Sequence, residues 1–273
     1  MSSYNCALTR DLSPNFYGCL HSKEFSEPID LPKAILQHEK YVNTIKSIVS
    51  TVHSLPADDT HPDCCFIEDT CIIINHIVVI SRMGAAERRG EELEVKTFLQ
   101  NQSFFPQLKI HTMEAPATMD GGDVLYTGTE LLVGLSSRTN EAAITQLRLV
   151  FKEVGIAVEG IPVTAGLHLK SVVSAFDEKR LIIADTIAGR AVMESIERSL
   201  PHRYQFITVP DEVAANVLRL SNTLIVQAGY PESEMILRKV CEENCLTVVT
   251  LDMSELVKAD GALTCCSVLF NNT

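Results

Sequence analysis

The chain has 273 residues with 23 basic and 35 acidic side chains, a formal net charge of −12. That length suits one or two domains, or a single large α/β unit, with enough chain to bury a sizeable core. Apolar residues at 46% and charged residues at 21% exclude wholesale disorder, and the acidic balance argues against nucleic acid as the main partner, because phosphate contacts need clustered Lys and Arg.

No run of about 18 apolar residues is present, so no membrane span is expected. The N-terminal stretch MSSYNCALTRDLSPN has no apolar signal core. Nine cysteines without such a signal read as reduced thiols in a cytoplasmic protein. An odd number also cannot pair completely within one chain.

In chain order, Ala7–Thr9 reads as a strand. Residues 11–29, with Pro14, Gly18 and Pro28, show little periodicity and form a candidate lid loop. Leu31–Val52 reads as a helix, with Asp30 as N-cap and Pro32 in the first turn. Short apolar strands then recur at Cys71–Asn75, Asp123–Thr127, Val172–Phe176, Asn216–Leu220 and Ser267–Asn271. Their starts, at residues 71, 123, 172, 216 and 267, lie 44 to 52 residues apart, a period to be tested as a repeat.

The first four runs are followed by the same events. A turn leads to a second strand, at Ile77–Ile80, Leu131–Leu135, Leu181–Ala184 and Thr223–Val226. A helix-like segment comes next, clearest at Asn140–Val154. Ile144, Leu147, Phe151 and Val154 form one apolar face there, and Gly155 stops it. A third short strand completes each unit. The fifth run has almost no chain after it, so its missing parts are sought at the N-terminus. The expectation is one α/β domain over residues 1–273, a closed ring of five ββαβ units with the last completed by the N-terminus. Two ordinary α/β domains with coincidental spacing are the plainer alternative.

Chemistry-bearing residues fall at equivalent places in these units. Cys265-Cys266 precede the fifth strand. A cysteine there can be a nucleophile if a cation lowers its pKa, although buried cysteine is commonly just a small apolar residue. Cys64-Cys65 and Cys241/Cys245 are no stronger candidates, and the latter spacing is no zinc pattern with its other ligands visible. His168 enters the third unit; a lone histidine between leucines is more often a core residue. Asp120-Gly121-Gly122-Asp123 enters the second unit, where carboxylates flanking glycines are usually turn chemistry. Asp63, Glu68 and Asp69 enter the first, interleaved with apolar side chains. Buried carboxylates need a partner, and a bound guanidinium or ammonium would serve. Arg88-Arg89 and Arg138 are of the type that clamps a small carboxylate, although surface arginines are usually only solvated.

The stretches CFIEDTCIII, MDGGDVLYTG, GLSSRTN, GLHLKSVVS, VPDEVAANVL and DGALTCCSVLF together resemble the dimethylarginine dimethylaminohydrolase family, over about Cys6 to Phe270. The resemblance implies the pentein fold, a five-bladed ββαβ propeller. It implies hydrolysis of Nω-methylated arginine to citrulline and a methylamine through a covalent Cys thiouronium. It implies Cys265 as nucleophile, His168 as general acid/base and Asp120 as the residue orienting it. Asp63, Glu68, Asp69, Ala259 and Asp260 match substrate contacts, Arg88 and Arg138 match arginines on the substrate's α-carboxylate, and Leu20 matches a lid contact.

No cofactor is implied. Zn²⁺ bound at Cys265 and His168 would act as an inhibitor, since it would block the nucleophile. The partner is a small methylated arginine, and the chain is expected as a monomer or homodimer. A deiminase of unmethylated arginine and a non-catalytic regulatory relative are the rival readings. Deiminases resembling this chain tend to carry Asp two residues after the histidine, where Lys170 stands here.

Overall fold

Short strands alternate with helices to give five three-stranded sheets in the computed structural model, which describes residues 4–21, 27–101, 103 and 105–272. The elements run β1 (Cys6–Arg10), α1 (Leu31–Lys46), β2 (Thr51–Leu55), β3 (Cys71–Ile74), β4 (Ile77–Ile80), α2 (Glu91–Leu99) and β5 (Lys109–Thr112). They continue with β6 (Val124–Tyr126), β7 (Glu130–Leu135), α3 (Glu141–Lys152), β8 (Ala157–Pro162), β9 (Val173–Ala175), β10 (Arg180–Ala184), α4 (Ile187–Ser199) and β11 (Gln205–Val209). Last come β12 (Leu218–Leu220), β13 (Thr223–Gln227), α5 (Pro231–Glu243), β14 (Thr247–Leu251), the single turn α6 (Ser254–Val257) and β15 (Val268–Phe270).

Each sheet has one plan. In β3-β4-β5 the first pair is antiparallel, joined by a two-residue turn in which Asn75 takes φ 56°. Asparagine tolerates that left-handed geometry better than most residues. The second pair is parallel, and parallel strands need a crossover, here α2. Sheets β6-β7-β8, β9-β10-β11 and β12-β13-β14 repeat this with α3, α4 and α5. The fifth sheet joins the two ends of the chain. β15 pairs antiparallel with β1, Leu8 opposite Val268, and β1 pairs parallel with β2 across α1.

The helix faces expected from the sequence pack as that spacing requires. Ile144, Leu147 and Phe151 of α3 are buried against Leu131 and Val133 of β7 and Val158 of β8. Burying side chains of this size is worth about 1.5–3 kcal/mol each. Asn140 caps α3 by accepting from Ala143 N at 3.1 Å, and Gly155 takes φ 71° just beyond it. Asp30 caps α1 through Lys33 N, also at 3.1 Å.

The inner strands are shorter by one or two residues at one or both ends than the sequence reading, and one boundary differs by more. α1 ends at Lys46 rather than continuing to Val52, and Thr51–Leu55 is β2. The run from Ile48 to Val52 is rich in β-branched residues, and the parallel ladder to β1 provides the hydrogen bonds a helix would have supplied.

A short 3-10 turn precedes the first strand of every unit, at Ile67–Thr70, Gly121–Asp123, Leu169–Ser171, Val213–Ala215 and Thr264–Cys266. Hydrogen bonds link these turns in succession. Gly122 N donates to Asp69 Oδ1 at 2.8 Å, and Leu169 N to Asp123 Oδ1 at 2.8 Å. Asn216 Nδ2 donates to Lys170 O at 3.0 Å and to Thr264 Oγ1 at 2.9 Å, and its Oδ1 accepts Thr264 N at 3.0 Å. Thr264 Oγ1 donates to Glu68 Oε2 at 2.9 Å, returning the chain of contacts to the first turn. The repeat-equivalent residues singled out above stand on these turns or beside them.

Candidate active site

A cavity of about 290 Å³ opens over the linked turns. Its lining includes Leu20, Asp63, Asp69, Arg88, Arg138, His168, Ala259, Asp260 and Cys265. Each of these was singled out from the sequence, from segments as far apart as residues 20 and 265. His21, Phe66, Ala85, Glu87 and Leu167 complete the wall and carried no distinguishing sequence signal.

Asp120 and Glu68 stand outside that lining. Asp120 is fully buried behind the histidine, its Oδ2 3.1 Å from His168 Nε2 and 3.7 Å from Arg138 Nη1. Glu68 turns away from the cavity. Lys170 Nζ donates to its Oε1 at 2.6 Å and Thr264 holds the other oxygen, so both carboxylate oxygens are taken by the protein. It lines a second cavity among the inner strands instead, together with Lys170 and Thr264.

Gly122 occupies the junction between Asp69 and His168. A Cβ there would lie 2.7 Å from His168 Nδ1 and 2.9 Å from Asp69 Oδ1, so a side chain would displace one or both. Its N–H, free to approach for the same reason, donates to Asp69.

Arg88 is buried and heavily engaged. Its Nε and Nη2 donate to the two oxygens of Glu91 at 2.9 and 2.8 Å, Nη2 also to Phe66 O at 3.2 Å, and Nη1 to Asp69 Oδ2 at 2.6 Å. Glu91 was not foreseen. The available signal was its position three residues after Arg88 across Gly90, at the start of α2. Leu20 N–H, at the edge of the loop, is 3.2 Å from both oxygens of Asp63. The proposed lid falls partly outside the described residues, since residues 22–26 are not described.

The charges follow from this packing. Burial works against a charged His168, but Asp69, Asp120 and Asp123 outweigh it and raise the imidazole to about 9. Burial likewise opposes ionisation of Asp69, yet His168 and Arg88 hold its carboxyl down at about 2. Burial raises the Cys265 thiol to about 12, and the charges of Glu68 and Asp69 push the same way. Near neutral pH Cys265 is therefore a thiol and His168 an imidazolium. Asp69, Asp120 and His168 bring ligand atoms within 4.8 Å of one another, a set that a divalent cation could use.

A family model described as arginine deiminase matches residues 59–217. The N(G),N(G)-dimethylarginine dimethylaminohydrolase of Streptomyces coelicolor is 32% identical, over 96% of this chain and 95% of that protein. The chain belongs to the dimethylarginine dimethylaminohydrolase family. The Pseudomonas aeruginosa dimethylarginine dimethylaminohydrolase is 28% identical over 92% of this chain and 93% of its own. A solved structure of the Pseudomonas aeruginosa enzyme, a cysteine-to-serine variant complexed with citrulline, superposes with a TM-score of 0.86. It covers 98% of this chain and 100% of that one at 26% identity. No helix among the described residues is long and apolar enough to cross a membrane.

Proposed function

We propose that this chain hydrolyses Nω,Nω-dimethyl-L-arginine and Nω-monomethyl-L-arginine to L-citrulline and dimethylamine or methylamine. The observation that carries this reading is the convergence of Cys265, His168, Asp69, Asp63, Asp260 and Arg138 on one cavity. Its relatives from Streptomyces coelicolor and Pseudomonas aeruginosa are named as dimethylaminohydrolases of N(G),N(G)-dimethylarginine.

The residues have natural parts in this chemistry. A guanidinium is planar, delocalised and charged at neutral pH, so it is a poor electrophile in water. Asp69 and Asp63 would fix its plane, Arg138 would take the α-carboxylate, and Asp260 with the Ala259 backbone would complete the contacts. Bringing a cation next to Cys265 offsets the acidic surroundings that hold its proton, which passes to solvent, and the thiolate forms. The thiolate attacks the central carbon and forms a C–S bond. The imidazolium of His168 gives its proton to the methylated nitrogen, and the C–N bond breaks to release the amine. Water then adds to the thiouronium carbon, neutral His168 takes one of its protons, and the C–S bond breaks to leave citrulline, thiolate and imidazolium, while the water's second proton passes to solvent, where the released amine is protonated. Asp120 keeps the ring oriented throughout. Leu20, tied to Asp63, would cover the bound substrate.

Glu68 reads as a support for the floor of the site, tied to Lys170, and its part in binding is indirect. The same pair bears on the deiminase reading. Lys170 stands where that reading would want a second carboxylate on the guanidinium, and its ammonium is held by Glu68 outside the cavity. A side of the guanidinium without a carboxylate leaves room for methyl groups.

The five sheets, with β1 and β15 joining the chain ends, support a five-bladed pentein propeller formed as a single domain over residues 1–273. No cofactor is required in this scheme. Zn²⁺ entering the cavity would meet His168 and the Cys265 thiolate and block the nucleophile. A cytoplasmic protein, monomeric or homodimeric, fits the reduced cysteines.

The test is citrulline release from asymmetric dimethylarginine, monomethylarginine and plain arginine by the wild type and by Cys265→Ser. Release from the methylated substrates that the variant abolishes is expected. Faster release from plain arginine would give the deiminase reading, and none from any of the three the non-catalytic one.

A further inference from the structure

Asp123, the second carboxylate of Asp120-Gly121-Gly122-Asp123, does not line the cavity, yet it is fully buried and contacts two parts of the site. Its Oδ1 accepts Leu169 N–H at 2.8 Å, the peptide immediately after His168. Its Oδ2 accepts the Ser136 hydroxyl at 2.6 Å. Ser136 Oγ in turn accepts Arg138 N–H at 2.9 Å and Thr139 N–H at 3.2 Å. The Thr139 hydroxyl accepts Asp120 N–H at 3.1 Å.

We propose that Asp123 is a positioning residue that sets the acid/base group and the carboxylate clamp in one fixed relation, binding the backbone of His168's turn with one oxygen and the loop of Arg138 with the other. This rests on the roles given above to His168 and Arg138.

The donors around Asp123 fix its chemical state. Leu169 N–H can only donate. Ser136 Oγ already accepts two peptide N–H groups, so its own proton points to Asp123. Both carboxylate oxygens must therefore accept, which only the ionised form does fully. The site also leaves no room for a side chain at Gly134. A Cβ on Gly134 of β7 would lie 2.5 Å from Asp123 Oδ1 and 2.9 Å from Leu169 Cβ. The arrangement is thus close-packed, and it cannot be rebuilt around a different group without moving β7.

An amide cannot replace this carboxylate. In Asp123→Asn the NH₂ would face either Leu169 N–H or the saturated Ser136 oxygen, setting donor against donor. One arm must let go, and a displacement of about 1 Å at a reacting group can cost on the order of 100-fold in rate. Removing the negative charge also removes part of what keeps His168 protonated.

The experiment compares wild type, Asp123→Asn and Ser136→Ala by melting temperature, by kcat and KM on asymmetric dimethylarginine, and by NMR titration of the His168 imidazole without substrate. Asp123→Asn is expected to remain folded, to lose about tenfold or more in kcat, and to titrate His168 at lower pH. Ser136→Ala, which frees only the Arg138 arm, is expected to raise KM several-fold with kcat and the His168 titration held. If Asp123→Asn does not fold, Ser136→Ala decides alone. Wild-type kinetics and an unmoved His168 titration in the folded variants would overturn the proposal. A wild type without activity on methylarginines would instead overturn the functional reading, and the His168 titration would still test the contact.

Discussion

Arg88 Nη1 donates to Asp69 Oδ2 at 2.6 Å, so the carboxylate assigned to the substrate's guanidinium already bonds a guanidinium of the protein. Glu91 grips the other edge of Arg88 with both oxygens. Arg88 thus organises the carboxylates of the site, and in the proposed scheme the substrate's α-carboxylate falls mainly to Arg138.

Removing that cation should be costly. Arg88→Ala leaves Glu91 buried without its partner and Asp69 with only the Gly122 N–H and the His168 imidazolium, a loss of about 3–5 kcal/mol for a broken buried pair. Urea unfolding checks this. Arg88→Lys keeps the charge but cannot match two carboxylates with a planar fork, so kcat/KM should still fall about tenfold or more. A lysine variant with wild-type kinetics would show that charge alone suffices.

Gly122→Ala should affect activity more than stability. The added methyl group meets His168 and Asp69, not a broad stretch of core. Overpacking of this kind costs about 1–3 kcal/mol. Citrulline formation should drop by far more than the melting temperature suggests. An active Gly122→Ala enzyme would mean that the two side chains can part without consequence.

The Glu68–Lys170 pair makes a third prediction. Lys170→Met strands a buried carboxylate and should destabilise by about 3–5 kcal/mol, while Glu68→Gln with Lys170→Met should recover much of that. Denaturant midpoints of the two variants test the order. In Glu68→Gln, KM for dimethylarginine should hardly move. A tenfold rise would restore Glu68 to direct contact with substrate.

The raised pKa of His168 predicts a pH dependence. Its folded value, about 9, lies above the unfolded value of about 6.5. The proton is bound more tightly in the folded protein, so the stabilisation is fully present below about pH 6.5 and is lost as pH rises through about 9. The melting-temperature gap between wild type and His168→Gln should narrow over that interval, and a constant gap would contradict the assignment. Over the same range, without added substrate, Cys265 should alkylate slowly with iodoacetamide, because its thiol is raised to about 12.

Zinc gives a final check. Zn²⁺ should inhibit citrulline release and chelator should restore it. Cys265→Ser should bind Zn²⁺ more weakly than wild type by calorimetry. Equal binding in that variant would place the ion on Asp69, Asp120 and His168 alone.

Much of this was legible in the sequence. The spacing of the apolar runs located the five inner strands, and residues such as Ile144, Leu147 and Phe151 fixed the buried helix face, because side-chain periodicity is a local property. Repeat-equivalent position pointed to Asp69, Asp120, His168 and Cys265, and the ordered motifs gave the chemistry. The end of α1 was misjudged because the strand that replaced its last turn is held by β1, a partner 45 residues earlier in the register from Cys6 to Thr51.

What the sequence alone determined is therefore the set of units and the residue types carried at the entrance to each. What only the tertiary structure decided is how those residues divide their hydrogen bonds. Nothing local shows that Glu68 turns to Lys170 while its neighbour Asp69 faces the cavity, that Glu91 completes Arg88, or that Asp123 reaches both Leu169 and Ser136. A buried donor or acceptor must find a partner, and which one it finds depends on groups that only the folded chain brings within 3 Å.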